Sequence, residues 1–265
     1  ATLALSGALL AGCSGSGDKT GGDSANGKET LTVGFDQSYP PYGFVGDDGK
    51  FTGFDLDLAQ AVCDKNGWEL KLSAIDWDAK DALLAQGNIN CIWNGFTMEG
   101  REDGYTFSDP YMLNEQVIVV KAGSDISDFA GLSGKTVMTQ VDSAALDVLE
   151  RDQAEVAATF KGGAAQTIGD YNNAFMQLDS GMIEAVACDL SIAQYQIAAN
   201  PDKYVQLSTP LSTEHYAVGF KTSDTELAQK VTETLKQLDA DGTVKQLCEK
   251  YSSYGISYDN WVLGK

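Results

Sequence analysis

The chain carries one histidine, His215, among 265 residues. That scarcity excludes a His-rich metal cage, an H-E-x-x-H zinc site and any pair of histidines dividing acid and base duty. A Ser-His-Asp enzyme would have to run through His215, in Glu214-His215-Tyr216, where a hydrogen-bonded histidine at a strand start is the plainer reading. Basic residues are scarce too: 18 Lys and Arg against 38 Asp and Glu give a net charge of −20. Nucleic-acid binding rests on a basic footprint that neutralises phosphates, so no nucleic-acid partner is expected. The chain has no C-x-x-C pair, no P-loop and no dinucleotide glycine fingerprint after a strand, and no cofactor is expected.

What is present fits an exported α/β protein. With 43% hydrophobic and 21% charged residues the chain can bury a core, and its length is enough for two modest lobes. Residues 1–12 are apolar and uncharged but shorter than the roughly 20 apolar residues a membrane span needs, and they fit a signal-peptide h-region. Leu10-Ala11-Gly12-Cys13 resembles a bacterial lipobox, which makes Cys13 the expected lipidation site and new amino terminus. Ser14 to Lys28 has no apolar residue larger than Ala25 and reads as a flexible tether. The expected location is therefore extracytoplasmic, with the domain anchored by lipid to the cell membrane. Cys63, Cys91, Cys188 and Cys248 lie in apolar-patterned segments at wide spacing, which favours free buried thiols over a disulfide framework.

The rest alternates between strand and helix patterns. Leu31 to Phe35 reads as a strand ending at Asp36 and followed by the turn-rich Ser38 to Tyr42. Phe54, Leu58, Ala61 and Val62 recur at helical spacing, with Asp55 and Asp57 near the positive helix end. The pattern repeats as a strand at Leu70 to Ile75, a helix through Ala79 to Leu83 closed by Gly87, and a strand at Ile89 to Trp93. After Val117 to Val120 and a linker-like Lys121 to Ser124 come strands at Lys135 to Thr139 and Ile183 to Cys188. A helix capped by Asp142-Ser143 and another over Tyr171 to Leu178 are interleaved with them. One strand over Tyr216 to Phe220 and two helices, with Leu227 to Leu238 and Val244 to Tyr251, complete the chain. Such alternation predicts parallel-type sheets covered by helices, with ligands gathering at the carboxyl ends of strands. Asp36, Trp77, Asn94, Ser143 and Asp189 fall at those ends.

These residues suit a free α-amino acid, whose carboxylate must meet a guanidinium or backbone N–H groups and whose ammonium must meet a carboxylate. Arg101 has a planar fork that can grip a carboxylate, or it can pair with Glu102 or Asp103 at the surface. Ser143 at a helix start can offer N–H groups to a ligand or serve as an ordinary cap. Asp189 can meet an ammonium or cap the helix that follows.

Leu31 to Asp36, Tyr39-Pro40-Pro41-Tyr42, Gly53 to Ala59, Gly95-Phe96-Thr97 before Arg101, and Phe107-Ser108-Asp109-Pro110-Tyr111 occur in an order that resembles the polar-amino-acid-binding proteins of bacterial ABC importers, extracellular solute-binding protein family 3. The resemblance runs from about Glu29 to about Tyr251. It implies a type II periplasmic-binding-protein-like fold: two α/β lobes joined by two crossing strands. Lobe I would comprise 29–113 and 217–265 and lobe II 117–212, with hinges near 113–117 and 212–217. It further implies that Arg101, Thr97 and Ser143 hold the ligand carboxylate, and that Asp189 and the Gly95 carbonyl hold its ammonium. Tyr39 and Trp77 would sandwich the side chain beside Asn94, and Asp36 would meet a polar or cationic end. The Thr97 to Arg101 loop is one residue shorter than the family pattern, and Asn94 stands where Ser is frequent. Cys63 matches a position that is disulfide-bonded in some relatives, but its partner position is Leu70, in keeping with a free thiol.

The implied function is non-enzymatic capture of an amino acid by a monomer that closes around it and delivers it to a permease with its ATPase subunits. Asp36, Glu99 and Asp142 tilt the expected ligand toward a cationic or uncharged polar side chain. Two alternatives share the fold: a dehydratase-like cleft enzyme using Glu99 or Asp36 as acid or base, and a ligand-sensing domain.

Overall fold

The computed structural model describes residues 28–265. The expected signal segment, Cys13 and all of the tether but Lys28 lie outside the described residues. In chain order the first elements are β1 (Thr30–Phe35), β2 (Ser38–Tyr39), β3 (Gly43–Val45), β4 (Phe51–Thr52), α1 (Phe54–Asn66) and β5 (Glu69–Ala74). Next come α2 (Lys80–Gln86), β6 (Cys91–Ile92), β7 (Thr106–Phe107), β8 (Met112–Lys121), β9 (Val137–Gln140) and α3 (Ala144–Glu150). They are followed by α4 (Ala154–Ala157), β10 (Gln166–Ile168), α5 (Tyr171–Ser180), β11 (Ala185–Asp189), α6 (Leu190–Ala199) and β12 (Tyr204–Gln206). The last are β13 (Ser212–Tyr216), β14 (Gly219–Phe220), α7 (Thr225–Ala240) and α8 (Thr243–Lys250).

Two sheets organise these elements. One has the order β5-β1-β6-β14-β7, and the other the order β10-β9-β11-β8-β12 with β13 also paired to β8. A small three-stranded sheet, β2-β3-β4, lies between β1 and α1 in the chain. The sheets are mixed rather than parallel: β1 runs parallel to β5 and β6, but β14 is antiparallel to β6 and β7. In the second sheet β9, β10 and β11 are parallel, while β8 runs antiparallel to β11, β12 and β13. The ladder of Met112 to Gln116 against Tyr216 to Ser212 is where the chain passes between the sheets. The single strand expected over Tyr216 to Phe220 is two. β13 belongs to one sheet and β14 to the other, and a strand that changes partners must break where it leaves the first ladder. Of the strand expected over Ile89 to Trp93 only Cys91–Ile92 is regular strand, and β8 runs on to Lys121, into the stretch expected as a linker.

The helices form as their spacing predicts. α1 buries Phe54, Leu58, Ala59, Val62 and Cys63 and ends at Gly67, whose φ of 70° is the left-handed C-cap conformation. α5 buries Tyr171, Ala174, Phe175 and Leu178 and is capped by the Asp170 carboxylate, which accepts from the Asn173 N–H. One large apolar cluster spans both sheets, running from Val33 and Phe54 to Val119, Phe175 and Val186. A smaller one, Trp77, Leu84, Ile89, Ile92 and Phe96, backs the cleft described below. Cys63, Cys91, Cys188 and Cys248 are free and buried. Among the described residues no helix is long and apolar enough to cross a membrane.

Gly53 joins the small sheet to α1 at a φ of 144°, and a Cβ there would lie 2.1 Å from the Tyr42 carbonyl oxygen. Gly181, at a φ of 76°, faces open space. Gly53→Ala is therefore expected to cost about 3 kcal/mol or more and Gly181→Ala about 1 kcal/mol. Urea unfolding with equal losses for the two would contradict this account.

Candidate ligand-binding site

A cavity lies at the carboxyl ends of strands from both sheets. Its walls include Tyr39, Trp77, Asn94, Gly95, Thr97 and Arg101 from the first half of the chain, and Ser143 and Asp189 from the second. Phe96, Gln140 and Ala144 complete the lining. Of the expected ligand contacts only Asp36 stands back. It reaches the cavity wall through Gln140, whose Nε2 donates to Asp36 Oδ2 at 2.7 Å. Burial raises the Asp36 carboxyl above its ordinary value, and hydrogen bonds from the Ser38 N–H and Gln140 oppose the shift.

Strand ends explain the convergence. Asp36 directly follows β1, Asn94 lies two residues past β6, and Asp189 is the last residue of β11. Ser143 is the N-cap of α3, its Oγ accepting from the Leu146 N–H at 3.1 Å, so it caps the helix and lines the cavity at once. Asp189, by contrast, makes no side-chain cap to α6. Its Oδ1 accepts from Asn114 Nδ2 at 2.9 Å, Gln116 Nε2 at 2.7 Å and the Tyr216 hydroxyl at 2.9 Å. Burial raises the Asp189 carboxyl, while bonds from Tyr39, Gln116 and Tyr216 ease it.

Arg101 packs its guanidinium 5.0 Å from the centre of the Phe96 ring. Nη1 donates to the Thr97 carbonyl at 3.3 Å, and Nη2 to the Asp142 carbonyl at 3.1 Å and Asp147 Oδ2 at 3.2 Å. Its acidic partner is thus Asp147 on α3 rather than the neighbouring Glu102 or Asp103. Asp142 also receives Trp77 Nε1 on its carbonyl at 3.2 Å and Lys80 Nζ on Oδ2 at 3.5 Å. Asp142 has a φ of 53°, unusual for a residue with a side chain. Lys80 is only 3% exposed, and burial lowers its ammonium below the ordinary lysine value.

Three further residues hold the site together and were not recognised as such from the sequence. Asp55 was read as a helix-dipole residue, but it is fully buried and ties the cavity loop to α1. It accepts the Gly95 N–H at 2.6 Å and the Tyr111 hydroxyl at 2.8 Å. Gly95 has a φ of 57°, and a Cβ there would meet the Tyr39 and Tyr216 rings at 3.1 Å, so this corner of the cavity is built for glycine. Gln140 and Glu214 carried no motif; their roles arise from which strands lie side by side. Glu214 Oε1 accepts from the Thr97 hydroxyl at 2.7 Å. Asn94 lines the cavity but spends its Oδ1 on the Asp36 N–H at 2.9 Å. His215 donates its backbone N–H to Glu99 Oε2 at 2.9 Å and places Nδ1 2.6 Å from Oε1, so the lone histidine is hydrogen-bonded, inside β13 rather than at its start. Among the described residues no cluster of three or more His, Cys, Asp or Glu could hold a metal ion.

The cavity thus lies between the two sheets, with the Arg101 guanidinium and the Asp189 carboxylate on its walls. The sequence pattern of the bacterial extracellular solute-binding proteins, family 3, matches residues 31–254, and the chain belongs to that family. It is 28% identical over 225 residues to the L-cystine-binding protein TcyJ of Escherichia coli K12, covering 84% of this chain and 82% of that one. Among solved structures it resembles an ABC uptake transporter substrate-binding protein from Streptococcus pneumoniae with bound histidine. The TM-score is 0.82 and the identity 33%, over 86% of this chain and 94% of the other. It also resembles the arginine-, lysine-, histidine-binding protein ArtJ of Geobacillus stearothermophilus, at a TM-score of 0.76 and 30% identity, over 84% and 95% of the two chains. The fold is thus the two-domain periplasmic-binding-protein type, and the chain belongs among extracellular solute-binding proteins.

Burial pushes the Asp55 carboxyl up to about 7, against the Gly95 and Tyr111 hydrogen bonds that lower it. A carboxyl raised on folding contributes stability that is complete below its unfolded value and lost as pH rises through its folded one. The melting temperature is therefore expected to fall between about pH 4 and pH 7, and Asp55→Asn should flatten that fall. Thermal melts across this range with the same slope in both proteins would place the titration elsewhere.

Proposed function

We propose that the chain captures a free polar L-amino acid, with a cationic or uncharged side chain, and hands it to a membrane permease powered by ATPase subunits. The observation that carries this reading is the placement of Arg101 and Asp189 on one cavity, from opposite sheets. Arg101, with the Thr97 and Ser143 N–H groups, grips the ligand carboxylate, and Asp189 with the Gly95 carbonyl takes the ammonium. Tyr39 and Trp77 flank the side chain beside Asn94. Asp36 meets a cationic end by exchanging its Gln140 hydrogen bond for one to the ligand. The histidine, arginine and cystine named for relatives are consistent with a polar ligand.

In this reading lobe I is 29–113 with 217–265, lobe II is 117–212, and they part about the β8–β13 ladder. A ligand favours closure only through contacts it makes better in the closed state, and one bridging Arg101 and Asp189 does so. Lipid attached at Cys13 would keep the monomer beside its permease.

A thermal-shift screen of free amino acids tests the reading, because a ligand at about 100 times its Kd adds roughly 2.7 kcal/mol of stability. Arg101→Ala is expected to weaken the best ligand by about 3 kcal/mol, more than a hundredfold. Unchanged affinity by calorimetry would remove Arg101 from the clamp, and a melting curve indifferent to every amino acid would remove the function.

A further inference from the structure

Behind the cleft wall, Asp189 shares its amide donors with a second carboxyl, Glu214, which lines the neighbouring groove. Asn114 Nδ2 donates to Asp189 Oδ1 at 2.9 Å and to Glu214 Oε1 at 2.8 Å. Gln116 Nε2 does the same at 2.7 and 2.6 Å. Two amide nitrogens therefore straddle the same pair of oxygens, which lie no further apart than two hydrogen-bond lengths. Asp189 and Glu214 are 4% and 3% exposed, and among the described residues neither forms a salt bridge. Two buried like charges this close, with no cation between them, disfavour simultaneous ionisation. Gln116 Oε1, in the same cluster, is a buried acceptor without a partner, where a carboxyl or ammonium hydrogen could be received.

The surrounding groups do not supply the missing positive charge. The Tyr39, Tyr42, Tyr171 and Tyr216 phenols and the Cys188 thiol all feel the Asp189 charge, and all are pushed well above their ordinary values, chiefly by burial, and so are neutral. On the Glu214 side a groove carries Glu99, Asp147, Arg151 and Asp152. Arg151 and Arg101 are each engaged by Asp147, and His215 by Glu99.

We propose that Glu214 is the second carboxyl of the ammonium site: the Asp189–Glu214 pair holds one proton in the free protein, and the ligand's ammonium displaces it to solvent on binding. This rests on the reading of the preceding section. Burial, then the Asp189 charge, pushes Glu214 up to about 7, which sets the range where the exchange is visible. A bound ammonium favours both carboxylates, so affinity falls as pH drops below that value, by up to about tenfold per pH unit.

The test uses the free protein, then L-arginine and L-glutamine, neither of which titrates its side chain near neutrality. Calorimetry in buffers of different ionisation enthalpy is expected to show about one proton released per amino acid near pH 6 and almost none near pH 8, where the ligand's own α-ammonium is still intact. Glu214→Gln should bind like wild type near pH 5.5, about tenfold or more weaker near pH 8, and without proton release. A merely structural role would weaken binding equally at every pH. The infrared carbonyl band of a protonated carboxyl should appear in the free protein near pH 6 and diminish in Glu214→Gln. Binding without proton release near pH 6, or an infrared band unaffected by the substitution, overturns the proposal. If neither amino acid binds, the function of the preceding section loses support, and the infrared band alone decides for or against the shared proton.

Discussion

The structure turns on a carboxylate that is buried without a cation. Asp189 sits at the end of β11 and is held by amides from β8 and a phenol from β13, the two strands on which the sheets meet. A desolvated carboxyl is tolerable only when hydrogen bonds replace its water, and here the replacements come from the crossing ladder itself. The ladder is thus both the mechanical link between the sheets and the substitute for water around Asp189. Any motion that shears β8 against β13 alters the hydration of Asp189, so the placement of charge and the relative position of the lobes are one problem.

Donors from one half of the molecule converge on a single residue of the other. Trp77, Lys80 and Arg101 all reach Asp142, two of them through its carbonyl oxygen. Each such bond is worth about 0.5–1.5 kcal/mol net, less where water competes. A few of them together are comparable with the few kcal/mol that typically separate two conformations of a protein, so they fasten this rim of the cavity. The Arg101 guanidinium spends only part of its donor capacity on Thr97, Asp142 and Asp147, leaving N–H groups for a carboxylate.

The fold was largely legible because its signals are local. Apolar spacing located α1, α5, α7 and α8, the glycines after α2 and α5 marked their ends, and β1, β5, β9 and β11 overlap the runs read as strands, each passing one end by a residue. The antiparallel half of each sheet was hidden, since β12, β13 and β14 are short and their partners lie more than eighty residues away in the chain. Nothing within Tyr216 to Phe220 announces that it changes sheets. The site followed the same division. Residues at strand ends, Trp77, Asn94, Ser143 and Asp189 among them, reached the cavity as expected. Glu214, Gln116 and Gln140 escaped notice because their function depends on a neighbour across a ladder, which no spacing along the chain encodes.

Asp142 receives Trp77 and Arg101 on its main chain. A fastening made with a peptide carbonyl is inherited by any residue that accepts the left-handed turn, with glycine and asparagine the natural candidates. Either replacement would change the chemistry displayed at this rim and keep the main-chain contacts that tie its two walls together.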